Sequence, residues 1–292
     1  MTRSRAHRQP AWPFAVNWQS PQAAGLIGWW PMAPAGGRTL HDVGRGLTPG
    51  TIAGGASWTP DTLHGAGHAL TFDGVNGTYV TCGDAASADF GTANFTVSFW
   101  VNVNAGASRA LVLKDAYATG TDNGIFFFRD SGSRFGYWNG SATTVMVSSP
   151  TNGQWYHLVG VRTGTGANQL LLYVNGIQVA TATESRTLSN SKNLTFGGDS
   201  TGLSVMTGSL RDIRICNIAL PPALVWQMFD ARTRHDLYRP LGRRQRPSAF
   251  LPLRDLGRPA SSAADQGLSA AAATGPGLPG SIATQLNLTG SF

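Results

Sequence analysis

Apolar and polar residues alternate in short runs along most of this chain. Nine runs, at residues 69–79, 95–103, 110–114, 124–130, 134–139, 155–163, 169–174, 193–197 and 210–216, are bounded by Gly, Asn or Ser and predict β-strands. In FTVSFWVNV, Phe95, Val97, Phe99, Val101 and Val103 fall on one face and Thr96, Ser98, Trp100 and Asn102 on the other, the pattern of a half-buried strand. LLLYVNGIQVAT places Asn175-Gly176 between two apolar runs, which predicts a hairpin with a type I′ turn. Only IALPPALVWQMFDAR has helical spacing, with Pro221 and Pro222 near its start and Leu224, Val225, Met228 and Phe229 along one face. This single short helix is expected to close an otherwise all-β domain.

Beyond the helix the chain becomes rich in Pro and Arg, and then passes into a low-complexity Ala, Gly and Ser tract that cannot bury enough apolar surface to fold alone. The reading is therefore a basic N-terminal arm over residues 1–24, one sandwich over 25–230, and a C-terminal arm over 231–292. Composition agrees, since 37 glycines and a charged fraction of 13% suit many short strands joined by tight turns.

The net charge of +7 suggests nucleic acid until it is divided along the chain. Residues 25–230 carry nine Arg and two Lys against eleven Asp and one Glu, a net −1, whereas the two arms carry eleven Arg against three Asp, a net +8. A neutral body with arginine-rich ends fits docking onto an acidic partner, or a solubilising tail shaped by codon bias. Residues 1–22 interrupt any apolar run with Trp12, Pro13, Asn17 and Gln19, so no signal peptide is expected, and no stretch approaches a membrane span. Cys82 and Cys216 are too few for a disulfide framework.

GLIGWWPM, HDVGRG, HGAGHALTFDGVNGTYVTCGD, FTVSFWVNV, WYHLVGVR, LLLYVNGIQVA, LTFGGD and GSLRDIRICNIALPPALV follow one another in an order that resembles the laminin-G-like, concanavalin A-like jelly rolls of bacterial and viral multidomain proteins. The resemblance spans residues 25–230 and implies a two-sheet antiparallel jelly-roll sandwich with one short C-terminal helix and extended N- and C-terminal arms. It also implies that the strand ending at Cys82 lies beside the strand ending at Cys216, where a disulfide or a buried thiol pair would be feasible.

Laminarinase-type glycoside hydrolases share this sandwich, and their chemistry needs two carboxylates a few ångströms apart. This chain has a single glutamate, Glu184, in the turn-like TATESRT, and no strand shows two acids on one face, so no catalytic residue is expected. No nucleophile elbow, P-loop or metalloprotease motif is present either. Relatives often hold a structural calcium, for which Asp42 and Asp73 are the candidates here. However, Leu210-Arg211-Asp212 puts a cation where the family commonly has an acid, and Asp73-Gly74 also reads as a turn cap. No other cofactor is expected. His64 and His68 are separated by glycines that argue against a helical metal pair, and His157 reads as a packed strand residue.

Sugars are usually received by exposed aromatic rings, so Trp100, Tyr137 and Trp138 are the candidate platform, with Asn139 as a hydrogen-bonding partner. Core or intersheet packing is the commoner reading of each aromatic, and Tyr137 and Trp138, being consecutive, cannot both face outward. Trp29, Trp30, Trp155 and Trp226 read as core or domain-closing residues.

The expected role is a non-enzymatic virion structural protein of a bacteriophage, either a capsid decoration or tail-associated, assembled in the host cytoplasm and displayed on the particle surface. Its arms would anchor it to shell proteins or to further copies of itself, with Arg243, Arg244 and Arg246 forking onto carboxylates of the partner. Host or environmental glycans are the expected ligands of the sandwich, and nucleic acid and membrane are disfavoured. A free carbohydrate-binding module is the alternative.

Overall fold

The computed structural model describes residues 9–241, apart from 47, 62–66, 105–108, 115–122, 131–132, 139–142, 146–149 and 200, with backbone alone at 109, 138, 143–145 and 184. In chain order, the first strands are β1 (Phe14–Val16), β2 (Leu26–Trp30), β3 (Thr39–Leu40), β4 (Gly50–Ile52), β5 (Ser57–Pro60), β6 (His68–Asp73) and β7 (Val80–Thr81). Next come β8 (Phe95–Val103), β9 (Arg109–Lys114), β10 (Ile125–Arg129), β11 (Phe135–Trp138), β12 (Thr143–Val145), β13 (Trp155–Arg162), β14 (Gly166–Val174) and β15 (Ile177–Glu184). The last elements are β16 (Thr195–Phe196), β17 (Thr207–Cys216), helix α1 (Pro222–Phe229) and β18 (Tyr238–Pro240).

Two antiparallel sheets face each other as a jelly-roll sandwich. The front sheet runs β12-β11-β10-β9-β16-β7-β4-β3. The back sheet runs β15-β14-β13-β8-β17-β6-β5, with β2 joined to the later half of β17. The run read as one strand over residues 69–79 divides instead: β6 belongs to the back sheet and β7 to the front, with Gly74 and Gly77 at positive φ in the crossing. The Asn175-Gly176 hairpin is as expected, with φ of 51° and 78° at its two central residues. In α1, Pro222 occupies the first turn, where its missing N–H costs nothing, and Val225 and Met228 are buried.

Between the sheets, Phe95, Val97, Phe99, Val101 and Val103 of β8 meet Phe127 and Tyr137 of the front sheet. Phe127 and Tyr137 stack face to face at 4.4 Å. Gly160 of β13 lies under that pair, and any Cβ there would collide with both rings.

The second face of β8 is not solvated, so the half-buried strand expected from its alternation is buried on both sides. Residues 9–24 and 231–241 fold over the outer face of the back sheet, where β1 pairs with β18. Under them lies a second core of Phe14, Trp29, Val159, Val161, Leu237 and Tyr238, continued by Val225 and Met228 of α1. The arm boundaries expected at residues 24 and 230 therefore fall inside packed structure. Three-residue strands such as β1 and β18 are too short to show alternation, which is why the sequence hides them.

Polar groups tether this cover. At the β17 bulge, Asp212 adopts φ of 49° and breaks register with β8, so Arg211, Asp212 and Arg214 all lie on the outer side, away from the intersheet core that holds Leu210, Ile213 and Ile215. Arg214 grips Asp212 through two nitrogens at 2.7 and 3.1 Å, and Trp29 Nε1 donates to the same carboxylate at 2.6 Å. Arg214 also donates to Gln22 Oε1 at 2.7 Å, and Gln22 in turn donates to the Thr233 carbonyl at 2.7 Å. Arg211 reaches Asp61 and Gln9. Burial opposes ionisation of Asp212, but the Arg214 guanidinium overrides it and holds that carboxyl well below the usual range.

Candidate functional site

With the back sheet closed, the outer face of the front sheet is exposed at Thr39 and Thr51 and half-buried at Thr81 and Phe128, while Ala110, Leu113, Phe126 and Thr195 at its centre are buried. Its composition follows from alternation. Val80, Val112, Phe127 and Phe196 point into the intersheet core, so Thr81, Leu113, Phe126 and Thr195 take the opposite face. The register then draws a single row across the sheet: Thr39 opposite Thr51, Thr51 opposite Thr81, Thr81 opposite Thr195, and Thr195 opposite Leu113. It continues from Leu113 to Phe126, and the backbone positions of Trp138 and Thr143 complete it.

One half of the row is thus rich in hydroxyls and the other is apolar. Thr39 and Thr51 are exposed and Thr81 is half-buried, while Thr195 is buried, with no hydrogen-bond partner for its hydroxyl among the described residues. On the apolar half, Phe126 and the half-buried Phe128 stack at 5.0 Å. Phe128 lies over Gly136 of β11, a position where a side chain would strike the ring. At the rim, the buried Lys114 ammonium is held by Asp84 and Asp89, each at 2.9 Å, and by the Asn190 carbonyl at 2.7 Å. This cage fixes the loops beside β7 and β16 and leaves Lys114 no exposed charge.

The structure separates the residues singled out from sequence. Trp100 is only 3% exposed and lies on the sealed side of the back sheet, between His157 and Phe229 at 5.0 and 5.9 Å. Tyr137 points into the intersheet core and is fully buried. Neither ring is available as a sugar platform, because closure by α1 covers the first and pairing with Phe127 consumes the second. Trp138 occupies a backbone position in the front row, while Asn139, His64, Arg243, Arg244 and Arg246 lie outside the described residues. His157 is a packed strand residue, as expected.

The calcium candidates are engaged in turns. Asp42 accepts from the amides of Trp29 and Gly44 at 2.8 and 2.7 Å, and Asp73 from that of Val75 at 2.9 Å. No group of three or more His, Cys, Asp or Glu side chains converges among the described residues, so neither aspartate has a carboxylate donor set around it.

The cysteines are not neighbours. Cys82 follows β7 in the front sheet and faces the intersheet core, whereas Cys216 ends β17 and faces the second core beneath the terminal segments. Both are free thiols, and burial pushes both upward, Cys216 to about 12. The thiol pairing implied by the resemblance fails because the two strands belong to different sheets.

The row of threonines escapes a reading of the sequence although it leaves a signal there. Thr51, Thr81 and Thr195 each sit between two buried residues: Gly50 and Ile52, Val80 and Cys82, Leu194 and Phe196. What the sequence does not reveal is that the strands carrying them are laterally aligned.

Solved structures share this architecture. Domain 4 of AbnA, an extracellular arabinanase of Geobacillus stearothermophilus solved in complex with arabinotriose, matches with a TM-score of 0.56 at 18% identity, over 71% of this chain and 99% of that domain. The binding domain of botulinum neurotoxin DC, in complex with SialylT, matches with a TM-score of 0.54 at 14% identity, over 71% of this chain and 52% of that one. A Trypanosoma rangeli sialidase in complex with sialic acid matches with a TM-score of 0.53 at 19% identity, over 71% of this chain but only 33% of the sialidase. At these identities the likeness is one of fold. No curated protein matches in sequence. A family model described as the concanavalin A-like lectin/glucanases superfamily matches residues 73–225, more than half of the sequence. This chain therefore belongs to the concanavalin A-like lectin/glucanase superfamily.

Proposed function

We propose that the chain is a non-enzymatic glycan-binding sandwich whose ligand lies along the threonine and phenylalanine row of the front sheet. The observation that carries this reading is the asymmetry of the two outer faces: terminal segments cover the back sheet, while the front row keeps Thr39 and Thr51 exposed at its β3–β4 end and the half-buried Phe128 beside its β10 end, with Thr195, Leu113 and Phe126 buried between them. Hydroxyls that exchange hydrogen bonds with a sugar at one end of the row, and a ring that packs on an apolar sugar face about four strand spacings away, suit an extended oligosaccharide lying across the sheet. The arabinotriose on the arabinanase domain and the SialylT on the neurotoxin domain support the ligand class.

The finer reading is that this sandwich is displayed on a virion, anchored by the arginine cluster Arg243, Arg244 and Arg246 to carboxylates of a shell protein. Support for this part comes from the sequence, in the contrast between a neutral body and basic ends. A free carbohydrate-binding module remains the alternative.

A glycan array with the full chain and its Thr51→Arg variant tests the site. Binding to at least one neutral oligosaccharide, reduced ten-fold or more by the substitution, is the expected result, and unchanged binding would exclude the front face. Anchoring is tested by sedimentation of the native protein. Cosedimentation with megadalton particles, abolished by removal of residues 243–292, supports display, whereas a free small species supports the module alternative.

A further inference from the structure

A second candidate site lies at the start of β2. Trp18, in the covering N-terminal segment, is 41% exposed, and the guanidinium carbon of Arg45 stands 3.7 Å from the centre of its ring. Arg45 belongs to a turn held against β2, where its amide and that of Gly46 both donate to the Ile27 carbonyl at 3.1 and 2.7 Å. Asn217, directly after β17, is fixed by donation from its amide to the Gly25 carbonyl at 2.8 Å. Three separate segments thus bring an indole, a guanidinium and a carboxamide to the wall of one open cleft of about 440 Å³.

Among the described residues, the exposed Arg45 side chain makes no hydrogen bond or ion pair, and its guanidinium lies over Trp18. Stacking fixes the plane of a guanidinium while leaving its in-plane N–H groups free, so the usual entropic cost of orienting an arginine is already met. Such a fork matches a carboxylate in a bidentate pair. The rest of the wall, formed by Ala23, Leu26 and Ile27, carries no second cation, which favours a ligand with one negative charge over a polyphosphate.

We propose that the Trp18–Arg45–Asn217 cleft binds a carboxylate-bearing sugar residue of the sialic or uronic acid class. Arg45 takes the carboxylate, Asn217 exchanges hydrogen bonds with ring hydroxyls, and the exposed part of Trp18 packs on the apolar face of the sugar. This site is separate from the front row and stands whether or not that row binds glycans.

Calorimetric titration of the full chain with 3′-sialyllactose and digalacturonate, against neutral lactose and digalactose, tests it. At least one acidic sugar is expected to bind ten-fold or more tighter than its neutral counterpart. Arg45→Ala should abolish that preference at unchanged melting temperature, Arg45→Lys should restore it in part, and Trp18→Ala should weaken binding. The proposal is overturned if neither acidic sugar outbinds its neutral counterpart, or if Arg45→Ala leaves the preference intact. Loss of acidic-sugar binding in Thr51→Arg but not in Arg45→Ala would assign it to the front row and overturn this inference alone. Loss only in Arg45→Ala supports it, whatever becomes of the front row.

Discussion

The outer faces of the two sheets begin from similar alternation and end covered to different extents. In the back sheet, Thr96, Ser98 and Trp100 of β8 look from sequence like a partly solvated face, yet all three are buried beneath the terminal segments and α1. In the front sheet, Thr39 and Thr51 keep their exposure at the β3–β4 edge, although Thr195, Leu113 and Phe126 at the centre are buried. The difference lies in what crosses each face. Phe14, Val16, Leu237 and Tyr238 give the terminal segments enough apolar surface to cover one sheet, and the Arg214–Asp212–Gln22 network fixes their register. A polar residue alternating with apolar ones therefore does not mark a ligand face until the cover over it is known.

The strongest way to break this comparison is to disrupt the cover from within. Asp212→Ala leaves the Arg214 guanidinium buried without its carboxylate and should cost about 3–5 kcal/mol in urea unfolding. A loss below about 1 kcal/mol would show that water reaches the network. Trp100→Ala opens a cavity on the same side, with an expected cost of about 3–5 kcal/mol, and should leave glycan binding to the front face unchanged. Its Kd for whichever array ligand binds is the test, since a changed Kd would return Trp100 to the ligand site.

Acid sharpens the contrast further. Because the folded Asp212 carboxyl is depressed, its contribution is complete above the unfolded value of about 4 and is lost as pH falls through the lower folded value. Unfolding free energy should therefore decline below about pH 4, and Asp212→Asn should flatten that part of the profile. A parallel profile in the variant would assign the acid sensitivity to other carboxylates. On the front face, Thr51→Ala should alter stability by less than about 0.5 kcal/mol while weakening glycan binding. The smallest effect concerns the thiols. Cys82 and Cys216 should both resist a thiol reagent in the native state and react together on unfolding, and a native disulfide would contradict their placement in separate cores.

Several parts of this arrangement are legible in the amino-acid sequence. The Asn175-Gly176 hairpin is readable because positive φ at two successive residues leaves few alternatives. The inward set of β8 is readable because burial on one side imposes a period of two, and the closing helix because proline and apolar spacing agree. Of the glycan candidates, Trp100 and Tyr137 are misread by their pattern, since periodicity gives the face of a strand and not what lies across it.

An all-β sandwich, its main strands, its hairpin and its uneven charge are all encoded locally, because each depends on φ/ψ preference or on the alternation of neighbours. Long-range packing decided the rest: residues 69–79 cross between sheets, Cys82 and Cys216 face different cores, and residues 9–24 and 231–241 close the back sheet. It also aligned the threonines of β3, β4, β7 and β16 into one row. These outcomes depend on contacts between residues far apart in the chain, and lateral register and coverage have no local signature.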